Sequence, residues 1–296
     1  MGFIDPKTDF GFKRIFGSAQ SVPVLKSFLN AIIYNGEAII QDLTILDPYQ
    51  NPENTALKQS ILDVKVKLND GSMVLVEMQV LPVVAFVQRV MYNLAKAYTA
   101  QLGRGEGYSR LEPVIAVTIT DFVLFPDHKA SISHYQFWSE ELKHRATDQL
   151  QCFFVELPKF HQSLEQLHTA QDEWLYFLKE AYKFRQAPES LIKKAEFEIA
   201  FSMANEGQLS SDELELLAWQ RKQLMDEQGR VEYGIQQGIE QGLERGLEQG
   251  REQGREQGAQ QERLETTKRL LGVLDVEAIA QATGLSTEEV EQLQEA

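Results

Sequence analysis

The chain has a single cysteine, Cys152, in 296 residues, which excludes an internal disulfide and any zinc site built on several thiolates. No apolar run is long enough to span a bilayer. The first residues, MGFIDPKTDF, are acidic and lack the hydrophobic stretch of a signal peptide. These absences predict a cytoplasmic protein with no membrane association. Histidine is sparse as well: His128, His134, His144, His161 and His168 form no HxxxH or HExxH spacing, so a histidine-based zinc hydrolase is excluded. No GxSxG or Walker pattern occurs. Positive charge is also short. The 29 basic and 44 acidic side chains leave a net charge of −15, which argues against a general nucleic-acid binder. The deficit is uneven, however. Residues 1–130 hold 12 basic and 13 acidic side chains, residues 131–224 hold 10 and 15, and residues 225–296 hold 7 and 16. Acidity is concentrated towards the C-terminus, and the first 130 residues are close to neutral.

What the sequence does have is strict alternation from Ile61 to Val80, ILDVKVKLNDGSMVLVEMQV. Leu62, Val64, Val66 and Leu68 share one face, and Asp63, Lys65 and Lys67 the other. After Asn69-Asp70-Gly71, Val74, Val76, Met78 and Val80 oppose Met73, Leu75, Glu77 and Gln79. Period-two patterning on both sides of a glycine-ended turn predicts a β-hairpin. Gly71 supplies the left-handed residue that such a three-residue loop requires. The register pairs Leu68 with Ser72 and sets Asp63 across from Glu77. Two carboxylates roughly 5 Å apart on neighbouring strands repel each other. Either one keeps its proton, a divalent cation sits between them, or Lys65 and Lys67 relax them on a solvated face. Hard oxygen ligands of this kind suit Mg²⁺ or Mn²⁺.

Around the hairpin, the order of elements alternates. Thr8 or Asp9 caps a short helix ending at Phe16 and Gly17. Ser21, Val22 and Pro23 start a second helix, which Asn35-Gly36 stops. Leu43 to Leu46 reads as a strand and 48–55 as a loop. After the hairpin, Pro82 is expected to open a helix reaching about Leu102, with Val83, Val87, Val90, Met91, Leu94 and Tyr98 as its buried stripe. Gln88 and Tyr92 lie one turn apart on one face of it. The glycine-rich residues 103–107 follow a helix and precede a strand, the wrong order for a phosphate loop. Val114 to Thr120 is a near-continuous apolar strand, as a central position demands. Strand-like runs at Ile132–Trp138 and Leu150–Leu157 extend the sheet. From His161 to about Gln228 the pattern is helical, with Trp174, Leu175, Phe177, Leu178, Tyr182, Phe197, Ala200 and Phe201 on apolar faces.

Three of these stretches resemble the PD-(D/E)XK nucleases. Asp63 with Glu77-Met78-Gln79 looks like the D…ExK active-site hairpin in an ExQ form. Gln88-Arg89-Val90-Met91-Tyr92 looks like the QxxxY element of RecB-type exonucleases in that superfamily. Asp9-Phe10-Gly11-Phe12-Lys13-Arg14-Ile15-Phe16 resembles the D-x-x-F-K-x-x-F opening of one branch, the recombination-promoting nuclease and transposase family. The resemblance covers about residues 5 to 160. It implies an α/β fold with a restriction-endonuclease-like core (helix, three-stranded meander, helix, strand; mixed sheet) and a helical C-terminal extension. It further implies a metal-dependent DNA endonuclease linked to recombination or transposition-like events. Asp63, Glu77 and the Met78 carbonyl would hold Mg²⁺ (Mn²⁺ as the alternative), with Gln79, Lys65 and Asp9 in the catalytic set. Gln88, Arg89 and Tyr92 would meet double-stranded DNA. The family pattern places a lysine where Gln79 stands, and Lys65 or Lys13 is the expected substitute for its charge.

The C-terminal part carries a repeat. Gly234, Gly238, Gly242, Gly246, Gly250, Gly254 and Gly258 recur every fourth residue among helix-favouring Glu, Gln, Arg, Ile and Leu. Glycines at this density cost an isolated helix about 6 kcal/mol relative to alanine, so it should fray. The same spacing lines them along a groove edged by Ile235, Ile239, Leu243 and Leu247, where a second backbone can approach. A homo-oligomer through this repeat and a flexible linker are the two expectations. Asp275 to Leu293 predicts two short helices joined at Gly284-Leu285-Ser286, too acidic for DNA contact. The expected divisions are 1–160, 161–228, 229–262 and 263–296. Two further functions fit the pattern: a catalytically decayed nuclease fold that binds DNA or protein, and a toxin-like nuclease restrained by its own tail or by a separately made C-terminal fragment.

Overall fold

The computed structural model describes residues 2–47, 49–50 and 60–295. Thr8 caps helix α1 (Asp9–Phe16) by accepting from Gly11 N, so Asp9 is the first helical residue and not the cap. Helix α2 (Val22–Tyr34) ends where Asn35 turns left-handed. Strand β1 (Leu43–Leu46) follows. Of the loop expected at 48–55, only Tyr49 and Gln50 lie within the described residues; they form β2, paired antiparallel with β3 (Ser60–Ile61). The hairpin is β4 (Val64–Leu68) and β5 (Met73–Gln79), in the predicted register with Val64 opposite Val76. At its turn Leu68 N donates to Ser72 O at 2.8 Å, and Gly71 has φ +93°.

Helix α3 (Phe86–Thr99) carries the chain across to β6 (Val114–Thr120), which lies parallel to β5. A parallel neighbour requires such a crossover. β7 (Ile132–Ser139) and β8 (His144–Glu156) complete a six-stranded mixed sheet in the order β1-β4-β5-β6-β8-β7. β1, β4 and β5 form the antiparallel meander, and β8 runs parallel to β6. All of β6 is buried, Thr118 and Thr120 included, as its near-continuous apolar sequence predicts. The α/β class and the order helix, meander, helix, strand are as predicted.

Helices cover both faces of the sheet. On one, Val64, Val66, Val74, Val76 and Val117 pack with Phe12, Phe16 and Phe28 and with aromatic residues of α4 (Ala170–Glu180) and α6 (Ala195–Ala204). Trp174 stacks on Phe197 at 4.3 Å between ring centroids. A four-residue helix, α5 (Glu189–Ile192), precedes α6. Helices downstream of His161 therefore share the core of the sheet. On the other face, α3 covers Leu75, Ala116, Cys152 and Phe154 with Phe86, Val90, Leu94 and Ala97. Burial pushes the Cys152 thiol up to about 11, so it is an inert packing residue.

Four expectations need correction. α3 starts at Phe86, because the chain after Pro82 stays irregular until Ala85, which has φ +58°. Its buried stripe is consequently Phe86, Val90, Asn93, Leu94 and Ala97, while Val83 and Met91 are exposed. Leu62 packs with Leu75 on the α3 face, not with Val64, because a bend at Asp63 interrupts the alternation. Tyr182 is exposed, with Lys7 Nζ 5.3 Å from its ring centroid.

The chain forms two compact units, Met1–Met225 and Asp226–Ala296. Helix α7 (Ser211–Leu270) begins in the first, where Leu217 is buried. It then runs without a break through all the repeat glycines, at none of which an added Cβ would meet an atom within 4 Å. In the second unit, α8 (Val276–Thr283) and α9 (Thr287–Glu295) bury Ile279 and Val290, with Asp275 capping α8 through Ala278 N. Among the described residues no helix is long and apolar enough to cross a membrane.

Candidate active site

The site forms where the β4–β5 ladder runs out. Pairing proceeds from Leu68 and Ser72 to Val64 and Val76. One step further, the Met78 amide would face the carbonyl of Leu62. The bend at Asp63 removes that carbonyl, and Asp63 Oδ2 accepts from Met78 N instead, at 2.7 Å. The Asp63 carboxylate is thereby fixed against the end of β5. In an antiparallel ladder a residue's N–H and C=O point the same way, so the Met78 carbonyl is directed to the same side.

Glu77 and Gln79 lie on the face of β5 that α3 covers. Arg89 reaches both: its Nη2 donates to Glu77 Oε1 at 2.6 Å and to Gln79 Oε1 at 2.5 Å. Gln79 Nε2 donates to Leu81 O at 2.8 Å. Burial raises the pKa of Glu77, partly opposed by Arg89. Burial likewise pushes Asp63 up to about 6; the Met78 hydrogen bond and Lys13 work against the rise, and Glu77 and Asp9 add to it. The carboxylate pair thus sits together in a desolvated setting where negative charge is disfavoured.

α1 supplies the other wall. Asp9 and Lys13 pair at 2.5 Å and both act electrostatically on Asp63. Gln220 of α7 accepts from Phe10 N at 3.0 Å and lies 3.4 Å from Asp9 Oδ2. A cavity of about 300 Å³ opens here between Asp9, Met78, Gln79, Leu81, Trp219 and Gln223. Lys65 stands opposite Leu75, two residues along β5 from Glu77; burial lowers its pKa and Asp47 is its charged neighbour. Gln88 is exposed on α3 and Tyr92 half-buried.

Two features escaped the sequence reading. Asn93, one turn after Arg89, is buried and lines a small void with Glu77 and Thr118. Its spacing from Arg89, and its polarity within an apolar stripe, were the available signal. Lys7 pairs with Asp121 at 2.7 Å, and Asp121 N donates to Gln79 O at 3.0 Å, anchoring the end of β5 to β6. Residues 114 positions apart carry no local signal of such a pair.

The donors fit a divalent cation. Two carboxylates and one backbone carbonyl offer only oxygen, the preference of Mg²⁺ and Mn²⁺. Among the described residues no cluster of three or more His, Cys, Asp or Glu side chains forms a fuller cage. Mg²⁺ characteristically takes one or two carboxylates and completes its shell with water and substrate phosphate. A cation would also relieve the burial that raises both acids' pKa values.

No curated protein and no solved structure matches the chain. A family model described as PD-(D/E)XK nuclease family transposase matches residues 6–234, well over half its length and inclusive of every residue of the site. That span takes in the bent β4, the acidic end of β5 and the α3 crossover, and the chain belongs to the PD-(D/E)XK nuclease family transposases.

Proposed function

We propose that the protein is a Mg²⁺-dependent endonuclease that hydrolyses phosphodiester bonds in double-stranded DNA during recombination or transposition-like events in the cytoplasm. The observation that carries this reading is the capture of the Asp63 carboxylate by Met78 N at 2.7 Å, which sets it beside Glu77 at the end of β5. Asp63, Glu77 and the Met78 carbonyl would hold the cation, which when bound would supply water activation and charge neutralisation at the phosphate. The protein's own groups hold and orient. Met78 N–H fixes the Asp63 rotamer, Arg89 holds Glu77, and Lys7 with Asp121 steadies the strand end. In the reaction a water oxygen bonds to phosphorus, one ester P–O bond breaks, and the water's proton ends on the departing oxygen. Gln88, Arg89 and Tyr92 face the duplex. Self-association through the glycine repeat of α7 would bring two such centres onto one DNA.

Incubation of supercoiled plasmid with Mg²⁺, Mn²⁺, Ca²⁺ or EDTA is the direct test. Nicking is expected with Mg²⁺ and Mn²⁺ only, and Asp63→Ala and Glu77→Ala should each abolish it without unfolding the chain. Cleavage retained in either variant would move the site elsewhere, and a wild type inert with every metal would leave the decayed, binding-only reading. One observation favours a restrained nuclease as a second reading: Trp219, Gln220 and Gln223 wall the cavity beside Met78 and Gln79. Gln220→Ala with Gln223→Ala should then raise the nicking rate; an unchanged rate removes the restraint.

A further inference from the structure

Gln79 stands where the family pattern has a lysine, and an amide carries no charge. Its orientation is nevertheless set at both ends. Oε1 accepts from Arg89 Nη2 at 2.5 Å, and Nε2 donates to Leu81 O at 2.8 Å. Turning the amide over would put its NH₂ against a guanidinium and its oxygen against a carbonyl, replacing two hydrogen bonds by two repulsions. The same Nη2 donates to Glu77 Oε1 at 2.6 Å. Both Nη2 hydrogens are thereby used, which leaves Nε and Nη1 to a ligand, and the side chain is 41% exposed. Phe86 supports the guanidinium from its ring, 5.0 Å from centroid to Cζ. A cation held between a ring and two oxygens is pre-organised, and a planar guanidinium suits phosphate oxygens.

We propose that Arg89 is the cation that meets the scissile phosphate, in the part an ExK lysine would play, and that Gln79 is its positioning residue. The inference rests on the nuclease reading above. Lys65 has Asp47 as its charged neighbour, and Lys13 is paired to Asp9 at 2.5 Å. Arg89 is the one of the three that hydrogen-bonds Glu77 and Gln79. A lysine at position 79 would lie against this guanidinium, so the two cations are alternatives and not partners.

The test compares Arg89→Met, Gln79→Met, the exchange Gln79→Lys/Arg89→Met and a control, Lys67→Met, an exposed charge on β4. Single-turnover plasmid nicking with Mg²⁺ is one readout. Fluorescence anisotropy of a short labelled duplex in EDTA is the other, and it needs neither metal nor turnover. Arg89→Met is expected to slow nicking about 100-fold, as loss of a transition-state charge partner does, and Gln79→Met about 10-fold. The exchange should recover at least about 10-fold over Arg89→Met alone. Metal-free binding should weaken about 5-fold in Arg89→Met, while Lys67→Met stays within about 2-fold in both assays. Arg89→Met within about 3-fold of wild type, or an exchange no faster than Arg89→Met, overturns the proposal. A wild type that fails to cut with any of the metals defeats the hydrolysis reading separately. Duplex binding in EDTA then decides Arg89 by itself: undiminished binding in Arg89→Met overturns its phosphate role, and weakened binding keeps it.

Discussion

Asp63 carries two opposed demands: it must be buried enough to order the end of β5 and ionised enough to bind a cation. Its carboxyl titrates at about 6 in the folded protein, raised from 3.8 mainly by burial. With a folded pKa above the unfolded one, the native state holds the extra proton between those values. Metal-free stability therefore falls as pH rises from about 4 to about 6, by at most about 3 kcal/mol, and stays low above that. Asp63→Asn keeps an oxygen for Met78 N without the charge. In EDTA its melting temperature is expected to equal the wild type's near pH 4 and exceed it by about 5 °C at pH 7.5. Mg²⁺ should raise the wild type's melting temperature and leave that of Asp63→Asn unmoved. A wild-type stability that is flat with pH would mean that Asp63 is solvated.

At the scale of elements, two contacts set where the walls of the site stand. Gly11 lets α1 lie against the preceding turn, since a Cβ there would fall 2.3 Å from Asp5 O. That atom is backbone, so Gly11→Ala must displace the helix that carries Asp9 and Lys13. A loss of about 2–4 kcal/mol in chemical denaturation is expected, along with slower nicking. At the end of β8, Glu156 is fully buried and accepts from Leu124 N, Phe125 N and Lys159 Nζ, the last at 2.6 Å. Lys159→Met strands that carboxylate and should cost about 3–5 kcal/mol, whereas Lys159→Met with Glu156→Gln should recover much of the loss. A single variant as stable as wild type would show that water reaches Glu156.

For the whole molecule, the division at Met225 and Asp226 predicts that a chain ending at Met225 melts cooperatively by itself, because Trp174, Phe197 and Leu217 all lie upstream of it. The repeat allows a separate test. Ile235, Ile239, Leu243 and Leu247 are each more than half exposed beside glycines with open space around them. If two copies meet there, Gly238→Leu, Gly242→Leu and Gly246→Leu together should reduce the mass by light scattering to a monomer while far-UV circular dichroism holds or rises. An unchanged mass removes the oligomer.

Sequence by itself determined whatever is decided within a few residues. The hairpin register follows from period-two alternation and the turn glycine that takes φ +93°, and the position of β6 from its near-continuous apolar run. The family was legible because three short local motifs, in α1, the hairpin and α3, stand in the family's order along the chain. Tertiary structure alone decided which face of α3 meets the acids. Pro82 suggested a helix start, but the path of 82–85 delays it to Phe86 and turns Arg89 and Asn93 towards Glu77. It also decided that Asp63 leaves the ladder to hold Met78 N, and that α4 and α6 complete the core beneath the site. These outcomes depend on packing between segments far apart in the chain, and no local periodicity encodes the angle at which two such segments meet.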